Sequence, residues 1–118
     1  MTRDPFAIVR AIGLRFPDVE YTTRYDGSPV LKAGGSFMAG IATDESAEAD
    51  TLVVRCGVDA RELMIEDAPE TYYLTDFYAK YPLVLVRLPA VTEDALRELL
   101  TTSRGMALAK GRRPAVTP

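Results

Sequence analysis

The stretch "YDGSPVLKAGGSFMAG", residues 25–40, constrains the fold more than any other part of the chain. Gly27, Pro29, Gly34, Gly35 and Gly40 interrupt short apolar–polar alternations there, so neither a long helix nor a long strand fits. Asp26-Gly27 reads as a two-residue hairpin reversal, because such a turn needs positive φ and glycine supplies it at low cost. Pro29 suits the first position of a strand over 29–33, where its missing N–H is tolerated. Gly34-Gly35 reads as a second reversal. "SFMAGIAT", 36–43, is then a third strand, in which Gly40 marks a bulge or a close approach. With "YTTRY", 21–25, in front of them, three short strands form an antiparallel meander.

The flanking segments supply helices. Asp4-Pro5 starts one: Asp can cap the first amides and Pro fits the first helical position. Phe6, Val9, Ile12 and Phe16 recur at helical spacing, and Pro17 ends the run. "DESAEAD", 44–50, reads as a solvated loop and "TLVVRC", 51–56, as a fourth strand. Asp59 and Glu62 have the spacing of a capping box, with Val58 and Leu63 as a hydrophobic staple and Leu63 and Met64 on the apolar face of the second helix. "TDFYAKYP" reads as irregular, and "LVLVRL", 83–88, as the fifth strand. Thr92 caps the last helix, with Val91 and Leu96 as its staple. Leu96, Leu99, Leu100, Ser103 and Ala107 form its inner face. The order α-β-β-β-β-α-β-α, with hairpin-length links, predicts an α+β domain over 1–108: a single antiparallel sheet of about five strands with helices packed on one face. Residues 109–118 read as a flexible basic tail.

Length allows one domain with one proper core. Arg3, Asp4, Arg10 and Arg15 break up the start of the chain, which therefore reads as neither signal peptide nor spanning helix, and we expect the cytoplasm and no membrane partner. The single cysteine, Cys56, excludes an internal disulfide and reads as a small buried hydrophobe. Net charge is −3 and the pI about 4.9, the opposite of the usual basic nucleic-acid footprint. The charge is unevenly placed, however. Acids cluster between Asp44 and Glu70, and none follows Glu98, whereas Arg104, Lys110, Arg112 and Arg113 do.

Catalytic devices are scarce. The chain has no histidine, which removes Ser-His-Asp and Cys-His arrangements and the usual structural zinc ligand sets. It has no phosphate-binding glycine loop. Asp18 with Glu20, or Glu66 with Asp67 and Glu70, could in principle pair for acid–base work or hold a hard cation, but such groups are usually solvated. We expect no enzyme, no metal and no cofactor.

Two patterns are more specific. Four of the five strands carry one basic residue each, Arg24, Lys32, Arg55 and Arg87. If the helices cover one face, these four can line the other as a positive stripe for phosphates or an acidic partner. The alternative is an ordinary wet face with acids paired across strands. Tyr72, Tyr73, Phe77, Tyr78 and Tyr81, interleaved with Lys80, form an aromatic cluster. It suits base stacking or a partner surface, or else a lid on the core with its hydroxyls at the rim.

The runs "FPDVEYTTRYDGSPVLKAGGSFMAGI", "DTLVVRCGVDARELMIEDAPETYYLTDFYAKYPLVLVRLPAV" and "LRELLTTSRGMA" resemble the MmcQ/YjbR family over about residues 6–108. The resemblance implies an α+β fold with an antiparallel sheet, similar to type III secretion chaperones. It also implies a label of DNA-binding protein, which rests on a double-wing arrangement of hairpins. No catalytic site carries over. Family members often have lysine where this chain has Ser36, "DHY" where it has Asp76-Phe77-Tyr78, and tryptophan near Leu83. Two functions from different classes follow. One is a nucleic-acid-binding protein whose wings, the hairpins over 25–35, present Arg24 and Lys32, joined by Arg55, Arg87 and the basic tail. The other is a protein-interaction or chaperone-like module, with a protein partner or as a homodimer, using the sheet face or the segment from Tyr72 to Tyr81.

Overall fold

Six strands form one antiparallel sheet in the order β1-β2-β3-β4-β6-β5 in a computed structural model that describes residues 4–112. The elements are α1 (Ala7–Gly13), β1 (Val19–Thr23), β2 (Pro29–Ala33), β3 (Ser36–Ile41), β4 (Thr51–Arg55), α2 (Val58–Asp67), β5 (Tyr72–Tyr73), α3 (Asp76–Ala79), β6 (Leu83–Arg87) and α4 (Glu93–Arg112). This is the α+β architecture expected, with two additions. Tyr72 and Tyr73 make a short sixth strand at the edge, and "TDFYAKYP", read as irregular, contains α3.

The glycines act where the chain reverses. Gly34 and Gly35 both have positive φ, +59° and +81°, and form a two-residue turn between Ala33 and Ser36. The first reversal is one residue longer than expected. Arg24 N–H donates to Ser28 O and Gly27 N–H to Arg24 O, so Tyr25, Asp26 and Gly27 form a three-residue loop with Gly27 at φ +87°. Tyr25 therefore leaves the first strand and stands fully exposed at the hairpin tip.

α1, α2 and α4 cover one face of the sheet. Phe6, Val9 and Ile12 of the N-terminal segment pack with Leu31, Met38, Leu52, Val54 and Val86 of the strands. Leu96, Leu99, Leu100, Ser103 and Ala107 are all buried, as the helical spacing of α4 requires. Each leucine so buried contributes about 1.5–3 kcal/mol. Thr92 Oγ1 accepts from Ala95 N–H at 3.1 Å, which makes Thr92 the cap expected. α4 also runs on through Arg112, so residues 109–112, read as tail, are helical; 113–118 lie outside the described residues.

The start of α2 differs from expectation. Its cap is Gly57, two residues before Asp59, and no side chain caps it. The shift turns the helix, so Leu63 is 66% exposed and Val58 45% exposed, and the staple does not close. Arg61 turns inward instead. Its guanidinium, 6% exposed, donates to Tyr81 O at 2.8 Å, Leu83 O at 3.1 Å and Ala79 O at 3.3 Å, tying α2 to the link between α3 and β6.

The opposite face is partly covered too. Tyr78 of α3 packs on Val53 and Leu85 as a second, smaller cluster. The acidic loop 44–50 is held down rather than free. Thr43 and Asp44 N–H donate to Tyr78 Oη, at 3.3 and 3.1 Å, and Glu48 N–H donates to Tyr73 Oη at 2.8 Å.

Candidate functional site

Strand register assigns each basic residue to a face. Val30 pairs Gly40, Gly40 pairs Val53 and Val53 pairs Leu85, so these four side-chain positions share the face away from α4. Two residues along each strand lie Lys32, Arg55 and Arg87, and Arg24 follows Thr22 by the same step. All four basic residues therefore share one face, but they divide between its two ends.

At one end Arg24 and Arg87 spend their guanidiniums inside the fold. Arg24 Nη1 donates to Ser28 Oγ at 2.8 Å and to Ile41 O at 2.9 Å. Its Nη2 lies 2.8 Å from where a side chain at position 40 would begin, which is why Gly40 is a close approach. Arg87 makes a bidentate pair with Glu48, at 2.8 and 2.7 Å, donates to Pro69 O and Glu70 O, and lies 4.2 Å from the centre of the Tyr73 ring. The bond to Arg87 holds the Glu48 carboxyl below its ordinary value. Neither arginine meets an acid on a neighbouring strand: Glu48 lies in the loop between β3 and β4, and Arg24 is held by a hydroxyl and a carbonyl.

At the other end the cations are uncommitted. The register of β2 on β3 shifts between Leu31 and Lys32: Leu31 faces Ala39 but Lys32 faces Phe37, leaving Met38 as an extra residue. Met38 and Ala39 consequently both sit in the helix-side core, and Phe37 turns to the other face. Lys32 and Arg55 flank it. Arg55 Nε donates to Phe37 O at 2.6 Å, and its two amino groups have no acceptor among the described residues. Lys32 stands across from Glu20 without forming an ion pair among the described residues.

Arg55, Phe37, Tyr81, Pro82, Leu83 and Lys110 line a recess of about 260 Å³. Beside it Arg55, Met106, Ala109 and Lys110 line a second hollow of about 300 Å³. No carboxylate lines either. Lys80 adds a third cation, its ammonium 5.4 Å from the centre of the Phe77 ring and 5.9 Å from that of Tyr81. The arrangement can hold an anion with a flat apolar body. Sequence reasoning names Lys80 with the aromatic cluster and Lys110 with the basic tail, but it misses Phe37 as a member of this group. The tail reading of 109–118 does not place Lys110 on a helix, and no residue in "SFMAG" marks Met38 as the bulge.

The aromatic cluster divides as well. Tyr78 is buried, and Tyr73 Oη shares a hydrogen bond of 2.6 Å with Thr51 Oγ1. Tyr72 is half-buried beside Met64, Asp67 and Glu98, and burial, with help from the two carboxylates, raises its hydroxyl pKa. Phe77 and Tyr81 stay exposed, at 43% and 44%. The candidate carboxylates do not converge. Asp18 is paired with Arg104 at 2.7 Å, and Glu66, Asp67 and Glu70 are exposed. Among the described residues no three His, Cys, Asp or Glu gather as a metal site, and no helix is long and apolar enough to cross a membrane.

An α+β domain with an antiparallel sheet backed by a long C-terminal helix is the class that these features define. The YjbR family model matches residues 14–106, and the chain belongs to that family. A crystal structure of Deinococcus radiodurans protein DR2400, described as a DUF419 domain, has the same fold. The TM-score is 0.74, with 22% identity over 97% of this chain and 88% of that one. No curated protein matches the chain.

Proposed function

We propose that the chain is a non-enzymatic cytoplasmic protein that binds nucleic acid through phosphate contacts at the Lys32–Arg55–Lys110 end of the sheet. The observation that carries this reading is the group of cations around Phe37, of which Lys32, Arg55 and Lys110 form no ion pair among the described residues, on an otherwise acidic protein. Local field, not net charge, governs where a polyanion docks. Arg87 is not part of the contact set, since all three of its nitrogens already donate, and Arg24 stands with it at the opposite end of the sheet, its Nη1 held by Ser28 Oγ and Ile41 O. With Lys32, Arg55, Lys80 and Lys110 each neutralising a phosphate, log K should fall with log salt at a slope of about −3. Anisotropy of a labelled oligonucleotide titrated at several salt concentrations tests it. A slope near zero, or no binding at low salt, removes the reading.

A second reading, a protein-interaction module or homodimer, is favoured by Tyr25, which is fully exposed at the tip of the first hairpin. It predicts a mass above one chain in light scattering, or a partner lost on Tyr25→Ser.

A further inference from the structure

The recess bounded by Phe37 and Tyr81 says more than that an anion binds. A duplex presents its phosphates on the outside and keeps its bases stacked within, so contacts to it are made mainly to the backbone and the groove edges. The recess is concave, and its walls are two rings, Pro82 and Leu83, with Arg55 and Lys110 at the margin. A paired base cannot enter such a hollow without leaving its stack, which carries an energetic cost. An unpaired base can. At about 260 Å³ the recess is smaller than the 300–1,000 Å³ typical of sites for whole drug-sized ligands. It therefore fits one base rather than an entire dinucleotide cofactor.

We infer that the recess takes a single unstacked base of single-stranded nucleic acid, its ring against Tyr81 and Phe37 and its flanking phosphates on Arg55 and Lys110. This rests on the proposed nucleic-acid reading and makes it narrower. The two-residue turn at Gly34-Gly35 follows Lys32 closely enough to leave that lysine beside the same opening, so the strand would run across the ends of β2, β3, β4 and β6. The tip of the first hairpin lies at the opposite end of the sheet and is not part of the contact.

The test compares labelled dT12, a labelled 12-base-pair duplex and thymidine monophosphate against the full chain. The single strand should bind at least tenfold more tightly than the duplex. Tyr81→Ala should weaken dT12 about tenfold and leave the duplex unchanged, and Tyr81→Phe should restore it, as expected for loss and return of a stacking ring. Because the Tyr81 side chain is exposed, the variant should fold, and its circular dichroism confirms that independently. Equal affinity for strand and duplex, or equal losses on both in Tyr81→Ala, overturns this inference while the phosphate-binding reading stands. No binding of either polymer ends both. Displacement of dT12 by micromolar thymidine monophosphate would assign the recess to a free nucleotide and overturn the assignment to a strand.

Discussion

Ser103 on α4 donates its hydroxyl to the carbonyl of Met38 on β3, at 2.7 Å, with both residues fully buried. Met38 is the extra residue of the β3 bulge, and the bulge is what turns Phe37 away from the helices towards Lys32 and Arg55. The terminal helix thus fixes the shape of a site on the far face of the sheet.

Ser103→Ala removes the only side-chain donor to the Met38 carbonyl among the described residues and should destabilise the fold by about 1–3 kcal/mol, the cost of a buried group left unsatisfied. Urea unfolding measures it. Oligonucleotide affinity should fall as well, because a loosened bulge no longer holds Phe37 in place. A neutral variant would mean that the bulge is set by the strands alone.

Arg61→Lys should not substitute for Arg61. Three carbonyls, from Ala79, Tyr81 and Leu83, accept from one planar guanidinium, Tyr81 O also accepting from Leu83 N–H, and an ammonium cannot reach them in the same fork. Each carbonyl left without a donor costs about 1–3 kcal/mol. A drop in melting temperature for Arg61→Lys, against no drop for Leu63→Lys at an exposed position of the same helix, is the expected outcome.

Cys56 should be silent in the native state. Burial pushes its thiol up to about 11 from 9.0, although nearby Arg61 opposes the shift. Ellman's reagent at pH 8 should react only after denaturant is added. Folding stability should also decline as pH rises from about 9 to about 11, where the unfolded thiol has released its proton and the native one has not.

Acid should act through the hairpin and the loop. The backbone and hydroxyl of Ser28 hold the Asp26 carboxyl below its usual value, and Arg87 does the same for Glu48. Depressed carboxylates contribute stability above their unfolded pKa and lose it as pH falls through the lower folded value. The unfolding midpoint should therefore fall below about pH 4, and less so in Glu48→Gln.

What was legible in the sequence was periodic. α4 has a regular inner face from Leu96 to Ala107, and β2 and β6 are bounded by proline and glycine, so their ranges follow from pattern. α2 was misread because Asp59 and Glu62 look like a capping pair, whereas the chain turns at Gly57 and buries Arg61 in place of Leu63. The site was half legible. The alternation that put Lys32, Arg55 and Arg87 on one face is a property of strands. Which of them remain unpaired depends on Glu48, 39 residues and several elements away from Arg87, and on a bulge between two apolar neighbours that no local signal distinguishes.

Backbone amide shifts of the labelled protein titrated with dT12 test the central claim most directly. The account predicts that the resonances of Lys32, Phe37, Arg55, Tyr81, Leu83 and Lys110 move together and saturate, while those around Arg24 and Arg87 stay in place. Movement confined to the Arg24–Arg87 end or to the outer surface of α4, or no movement at all, would contradict it.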